Sequence, residues 1–98
     1  MAQLDALLKQ MVDLGSSDLH LSVGSPPSIR AKGELQPLGS EPLNTETLKK
    51  MLYEVINSEQ VAFFEKNLDL DFAYAADGIA RFRGNFFFKT TGIAAVFR

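Results

Sequence analysis

The stretch Ile79-Ala-Arg-Phe-Arg-Gly-Asn-Phe-Phe-Phe-Lys89 constrains the fold more than any other part of the chain. Extended backbone turns successive side chains to opposite faces. Ala80, Phe82, Gly84, Phe86 and Phe88 therefore share one face, and Ile79, Arg81, Arg83, Asn85, Phe87 and Lys89 the other. One face is aromatic and calls for a covering layer. The other carries arginines on rigid backbone, suited to holding an anion at a fixed place. A strand of this kind belongs to a sheet buried on one side and open on the other.

Composition bounds the function classes. Ninety-eight residues make one domain with a single core. A net charge of −2 and a pI near 5.3 lack the basic surplus of a general nucleic-acid binder. There is no cysteine, hence no disulfide framework and no thiolate metal site. No apolar run approaches the roughly 20 residues that span a bilayer, and the N-terminus lacks the features of a signal peptide. A cytoplasmic location is the plain expectation.

The periodicity predicts the order α-β-β-β-α-α-β-β-β. Leu4, Leu7, Leu8, Met11 and Val12 form the stripe of a first helix, closed by Gly15. Ser17–Val23 alternates, with Leu19, Leu21 and Val23 inward and Asp18, His20 and Ser22 outward. After the break Gly24-Ser-Pro-Pro27, short strands are expected at Ser28–Ala31 and Glu34–Pro37, turning at Lys32-Gly33. Residues Gly39 to Pro42 read as loop. Asn44 or Thr45 caps a second helix with the stripe Leu48, Met51, Leu52, Val55 and Ile56. Ser58 is expected to cap a third, reaching about Asn67 with Val61, Phe64 and Leu68 inward. Strands then follow at Asp69–Ala75, Ile79–Lys89 and Ile93–Arg98. The fold class is α+β, an antiparallel sheet with its helices largely on one face.

The hydrophobic faces also predict registers, because a one-residue slip would turn every side chain over. A three-residue turn Ala76-Asp77-Gly78, with Gly78 at positive φ, would set Asp71 opposite Arg83 and Asp69 opposite Asn85. Turning at Thr90-Thr91-Gly92 pairs Phe88 with Ile93 and Phe86 with Ala95. That choice puts Arg83 directly across from Arg98; the other register would send Arg98 to the Phe82 side. Facing arginines repel by up to roughly 1 kcal/mol when exposed. Asp71 could offset this in an Arg-Asp-Arg cluster, or an outside anion could, such as a phosphate or a partner's carboxylate.

Other chemical signals are weaker. His20 is the only histidine. Asp18 and His20 would supply two metal ligands with nothing nearby to complete a site, so a histidine hydrogen-bonded to a carboxylate is the expectation. Ser16, Ser17 and Ser22 lack a nucleophile-elbow context, and no G-x-x-x-x-G-K-[ST] loop occurs. Asp69 and Asp71 have no second carboxylate pair. Phe87 alone of its aromatic run is expected outward.

Ser17-Asp-Leu-His-Leu-Ser-Val-Gly-Ser-Pro-Pro27, Ile29-Arg30, Gly33-Glu-Leu35, Ala80-Arg-Phe-Arg-Gly-Asn85 and Ala95-Val-Phe-Arg98 together resemble PilT-type ATPases, the retraction motors of type IV pili. The resemblance runs in order along essentially the whole chain and is specific in combination. It implies the N-terminal PAS-like domain of such a motor, residues 1–98, without the RecA-like catalytic domain. What it implies for function is a hexameric, ATP-driven machine working with the pilus machinery at the inner membrane. In it this domain packs against RecA-like domains of its own and the neighbouring subunit. Arg83 and Arg98, with Arg81 second, would face the ATP γ-phosphate in the oligomer. ATP and Mg²⁺ belong to the parent protein, none is expected on the isolated domain, and this portion alone should not hydrolyse ATP.

Three rivals remain, besides the equivalent domain of a type II secretion ATPase. An RNA-recognition module needs its aromatics on an open sheet face, whereas Phe82, Phe86 and Phe88 read as core, so no nucleic-acid partner is expected. A PAS-like sensor needs an internal cavity that the phenylalanines would fill. A purely structural oligomerisation module differs only in whether Arg83 and Arg98 touch nucleotide.

Overall fold

A computed structural model describes residues 3–98. The elements are α1 (Gln3–Asp13), β1 (Leu19–Ser22), β2 (Ser28–Ala31), β3 (Glu34–Pro37), α2 (Thr45–Tyr53), α3 (Ser58–Asn67), β4 (Asp69–Ala76), β5 (Ala80–Lys89) and β6 (Gly92–Phe97). Their order is the one that the periodicity predicts. The strands form one antiparallel sheet of six, ordered β3-β2-β1-β6-β5-β4. The N-terminal hairpin thus joins the C-terminal meander through β1 and β6. Among the described residues no helix is long and apolar enough to cross a membrane.

All three helices pack on one face of the sheet. Leu4, Leu8 and Met11 of α1, Leu48, Met51 and Leu52 of α2 and Phe64 of α3 enclose Leu19, Leu21, Phe82, Phe86, Ile93 and Phe97 in one continuous core. Phe86 is its centre, with ring centroids 5.0 Å from Phe72, 5.7 Å from Phe64 and 6.2 Å from Phe97, all at steep angles. Edge-to-face rings place positive edges against negative faces, which adds to simple burial. Gly84 sits within this layer because nothing larger fits. A Cβ there would lie 2.8 Å from the Phe72 ring and 2.9 Å from Phe97.

Local signals act largely as expected. Gly15 and Ser16 close α1 by bonding the carbonyls of Val12 and Met11, the paired pattern of a Schellman stop. Lys32 and Gly33, at φ of 53° and 81°, make the tight turn between β2 and β3. The Asn44 side chain accepts from the Thr47 amide and caps α2. Other expectations need correction. The cap of α3 is Asn57 rather than Ser58, because Asn57 and Gln60 exchange reciprocal bonds in a capping box. Leu68 is not inward; it takes the left-handed position that ends α3, at φ 60°, and is exposed. Val55 and Ile56 lie beyond α2 and are only half-buried. Val23 falls outside β1 and makes an isolated parallel bridge to Leu43. Phe88 stacks on Phe64 at 5.1 Å yet stays half exposed, since the strand runs past the helices there.

The β5–β6 register is the expected one, with Phe86 opposite Ala95 and Phe88 opposite Ile93. The β4–β5 register is displaced by two residues. Ala76 pairs with Ala80, so Asp77-Gly78-Ile79 forms the turn, with Gly78 at φ 74°. A two-residue shift preserves the faces, which is why hydrophobic patterning could not detect it. It does change every neighbour. Asp71 stands opposite Asn85, Asp69 opposite Phe87, and Ala73 opposite Arg83.

Candidate anion site on the open sheet face

Anchoring of the core face decides where the arginines point. Phe82 and Phe86 are buried beneath the helices, so Arg81 and Arg83 are carried to the open side of β5. Phe97 is fully buried, so Arg98, one residue on, projects the same way. Arg83 and Arg98 exchange both backbone hydrogen bonds, at 3.0 and 2.8 Å, and so form a directly opposed pair. All three arginines are exposed.

The expected neutralisation by Asp71 does not occur. Ala73 is the residue beside Arg83 and Ala75 the one beside Arg81. Among the described residues, Arg81, Arg83 and Arg98 take part in no ion pair. Asn85 instead donates to the Asp69 carboxylate at 3.0 Å and the Leu70 carbonyl at 3.2 Å. Two like charges are thus held face to face by backbone hydrogen bonds, with alanines alongside on the β4 side.

The cationic row extends further than the hairpin. Leu19 pairs with Phe97, and one step on, the register sets Asp18 beside Arg98. On its other side Asp18 aligns with Arg30, whose amide donates to the Asp18 carbonyl at 3.1 Å. The row across four strands therefore reads Arg30, Asp18, Arg98, Arg83. Arg30 was not singled out from the sequence, because the Gly24–Pro27 loop gives no register between β1 and β2. Its signals in the sequence are its place on the outward side of Ile29 and the Ile29-Arg30 piece of the family resemblance.

Asp18 is the buried charged residue of this row. Its carboxylate accepts from Ser17 Oγ at 2.6 Å, from Arg30 Nε at 3.3 Å and from His20 Nε2. Burial pushes its pKa up, but these hydrogen bonds and the attraction of His20 outweigh that and hold it below 3.8. The expected histidine–carboxylate pair is therefore present, and it fixes the imidazole against the sheet. Ser16 Oγ bonds the carbonyls of Arg30 and Asp18 at 2.6 and 3.1 Å, so the loop before β1 clamps the same two residues. Among the described residues no group of three or more His, Cys, Asp or Glu gathers for a metal. Phe87 does face the open side, where it, His20, Ser28, Pro26 and Val96 line a depression of about 220 Å³.

A fold of this kind, three helices on one face of a six-stranded antiparallel sheet, recurs in known proteins. It superposes on a crystal structure of the pilus retraction motor PilT with bound ADP at a TM-score of 0.89 and 30% identity. That match covers 100% of this chain and 29% of the other. The ATPase DotB of Legionella pneumophila shares the fold at a TM-score of 0.80 and 19% identity, over 97% of this chain and 28% of its own. The chain is thus of the class of domains found in pilus ATPases. In sequence it is 42% identical over 84 residues to the type IV pilus retraction ATPase PilT of Pseudomonas aeruginosa, covering 86% of this chain and 24% of that protein. It is 34% identical over 96 residues to the type IV pilus ATPase PilU of the same organism, covering 98% of this chain and 25% of that protein. No protein-family model matches. The chain belongs to the PilT-type ATPases as their N-terminal domain, and spans about a quarter of the length of these relatives.

Proposed function

We infer that this domain couples the ATP state of one subunit to packing against the next in a hexameric motor for pilus retraction. In that assembly it lies against the RecA-like domain of its own chain and of its neighbour. Arg83 and Arg98, with Arg81 beside them, face the terminal phosphate of ATP bound with Mg²⁺ on a catalytic domain. The motor works in the cytoplasm, against the pilus machinery at the inner membrane. The observation that carries this reading is the opposed pair Arg83–Arg98, fixed by backbone bonds and without a carboxylate partner among the described residues. Such a pair is costly to leave bare and suited to a multiply charged anion whose charge builds up on its outer oxygens. The PAS-like comparison is with the layering alone, since phenylalanines fill the interior where a sensor would keep its ligand.

The test is ATP turnover of the complete, oligomeric protein carrying Arg83→Ala or Arg98→Ala. A loss on the order of 10²-fold, with oligomer retained, is expected. Normal turnover in both variants would leave the domain a packing module. Arg83→Lys separates charge from geometry, because it keeps the charge and loses the bidentate fork.

A further inference from the structure

The register that sets Arg98 across from Arg83 also fixes the next two rows of the open face. One reads Ser28, His20, Val96, Asn85, and the other Ser22, Ala94, Phe87. Ala94 is the smallest side chain of its row, and a depression of about 220 Å³ lies over it. Ala94 and Val96 alternate with the core residues Ile93, Ala95 and Phe97, yet they too are buried, so β6 gives the depression an apolar floor. β1 and the loop after it supply one wall with His20, Ser22 and Ser25, and β5 the other with Phe87 and Lys89.

The polar side chains around it can all donate, and no carboxylate is among them, in a chain of net charge −2. Ser16, Ser17 and Ser28 donate their hydroxyls within the chain, whereas Ser22 and Ser25 donate to no group among the described residues. His20 has Nε2 on Asp18, which leaves Nδ1 as its free polar atom. Lys89 is exposed and joins no ion pair among the described residues. An apolar floor between walls of unengaged donors suits a group that is apolar in its body and negative at one end.

Size narrows the choice. A cavity of about 150 Å³ holds one benzene ring, while pockets that enclose a drug-sized ligand start near roughly 300 Å³. The depression therefore has room for one aromatic or branched residue with a carboxylate attached, and not for a nucleotide. Within a protein, a large apolar side chain and a carboxylate meet in one residue only at the C-terminus. We propose that the depression takes the C-terminal residue of a partner protein, its aromatic or branched side chain on Ala94, Val96 and Phe87 and its carboxylate against Ser22, Ser25 and Lys89. None of Arg81, Arg83 and Arg98 lines the depression, so this contact and the nucleotide reading stand or fall separately.

Chemical-shift titration of this chain with the peptide acetyl-Gly-Gly-Phe tests the contact. The backbone amides of Ser22, Ser25, Phe87 and Ala94 should move, with a Kd on the order of 1 mM for an anchor of one residue. The C-terminal amide of the same peptide should bind about tenfold more weakly, because it lacks the charge. Acetyl-Phe-Glu-Gly-amide, with ring and acid on adjacent residues, should be equally weak. Ala94→Leu fills the floor and should abolish the shifts. Lys89→Gln changes an exposed side chain, so it should weaken binding several-fold with the fold unchanged, and it decides the matter if Ala94→Leu does not fold. The proposal is overturned by amides that stay unmoved at about 10 mM peptide, or by an amidated or internal-acid peptide that binds as tightly as the free acid. Undiminished binding by Lys89→Gln overturns it as well. So does tighter binding of 3-phenylpropionate than of the peptide, which would assign the depression to a free apolar acid.

Discussion

The two faces of this sheet are made by the same residues in alternation, yet they answer to different physics. On the helix side, Phe82, Phe86 and Phe97 are held by close packing, where even the Cβ of an alanine at position 84 meets two rings. On the open side, Arg81, Arg83 and Arg98 are positioned by the backbone alone and touch no counter-charge among the described residues. The difference teaches that the core fixes the direction of the arginines while leaving their charge unspent. Stability and anion recognition are divided between opposite sides of one strand.

The comparison breaks if mutations on the two faces cost the same. Phe86→Ala removes the central ring, and a loss of about 3–5 kcal/mol is expected in urea unfolding. Gly84→Val should follow at about 1–3 kcal/mol, through overpacking against Phe72 and Phe97. A mild effect at both positions would mean that the aromatic layer yields more than its geometry indicates.

Asp18 sharpens the contrast, because it lies on the open side and is buried. Asp18→Asn should cost about 1–3 kcal/mol by weakening the bonds from Ser17, Arg30 and His20. It should also flatten the acid limb. A carboxyl whose folded pKa lies below 3.8 stabilises the fold above that value, and the contribution is lost as pH falls through the folded pKa. An unchanged acid limb in the variant would show that other carboxylates govern it.

On the helix side the corresponding polar contact is Tyr74, whose hydroxyl donates to buried Asp5 at 2.6 Å. Burial, then the bond and charge of Asp5, raise the Tyr74 pKa from 10.0 to about 12. The protonated phenol is the native form, so its contribution is complete below pH 10 and fades between there and about 12. Tyr74→Phe should cost about 1–2 kcal/mol at neutral pH by leaving the carboxylate without its donor. Alkaline unfolding midpoints of the two proteins should then converge. The smallest effect is expected for Arg83→Ala, within about 0.5 kcal/mol of the parent in stability. A loss comparable to that of Gly84→Val would mean that Arg83 is a structural residue after all.

How far the sequence carried this reading is clearest along β5. Its alternation alone determined which side chains are core and which are open, because apolar area must leave water and the period of a strand is two. The same argument gave the Phe86–Ala95 register, and with it the opposition of Arg83 and Arg98. The β4–β5 register was not legible, since a shift of two residues keeps every hydrophobic contact type and alters only who stands beside the arginines. Asp5 was hidden for a related reason: nothing local marks an acid within a leucine stripe as the partner of a tyrosine far along the chain.

Sequence by itself therefore determined the α+β order, the family and the face on which the arginines lie, all set by local periodicity and short motifs. Only the tertiary structure decided what surrounds those arginines: alanines rather than Asp71 on one side, and the Asp18–Arg30 pair on the other. It also decided that β4 and β3 are the two edges of the sheet. Those outcomes depend on strand order and register, which arise from long-range pairing and the geometry of turns, and the chemistry of the open face depends on them in turn.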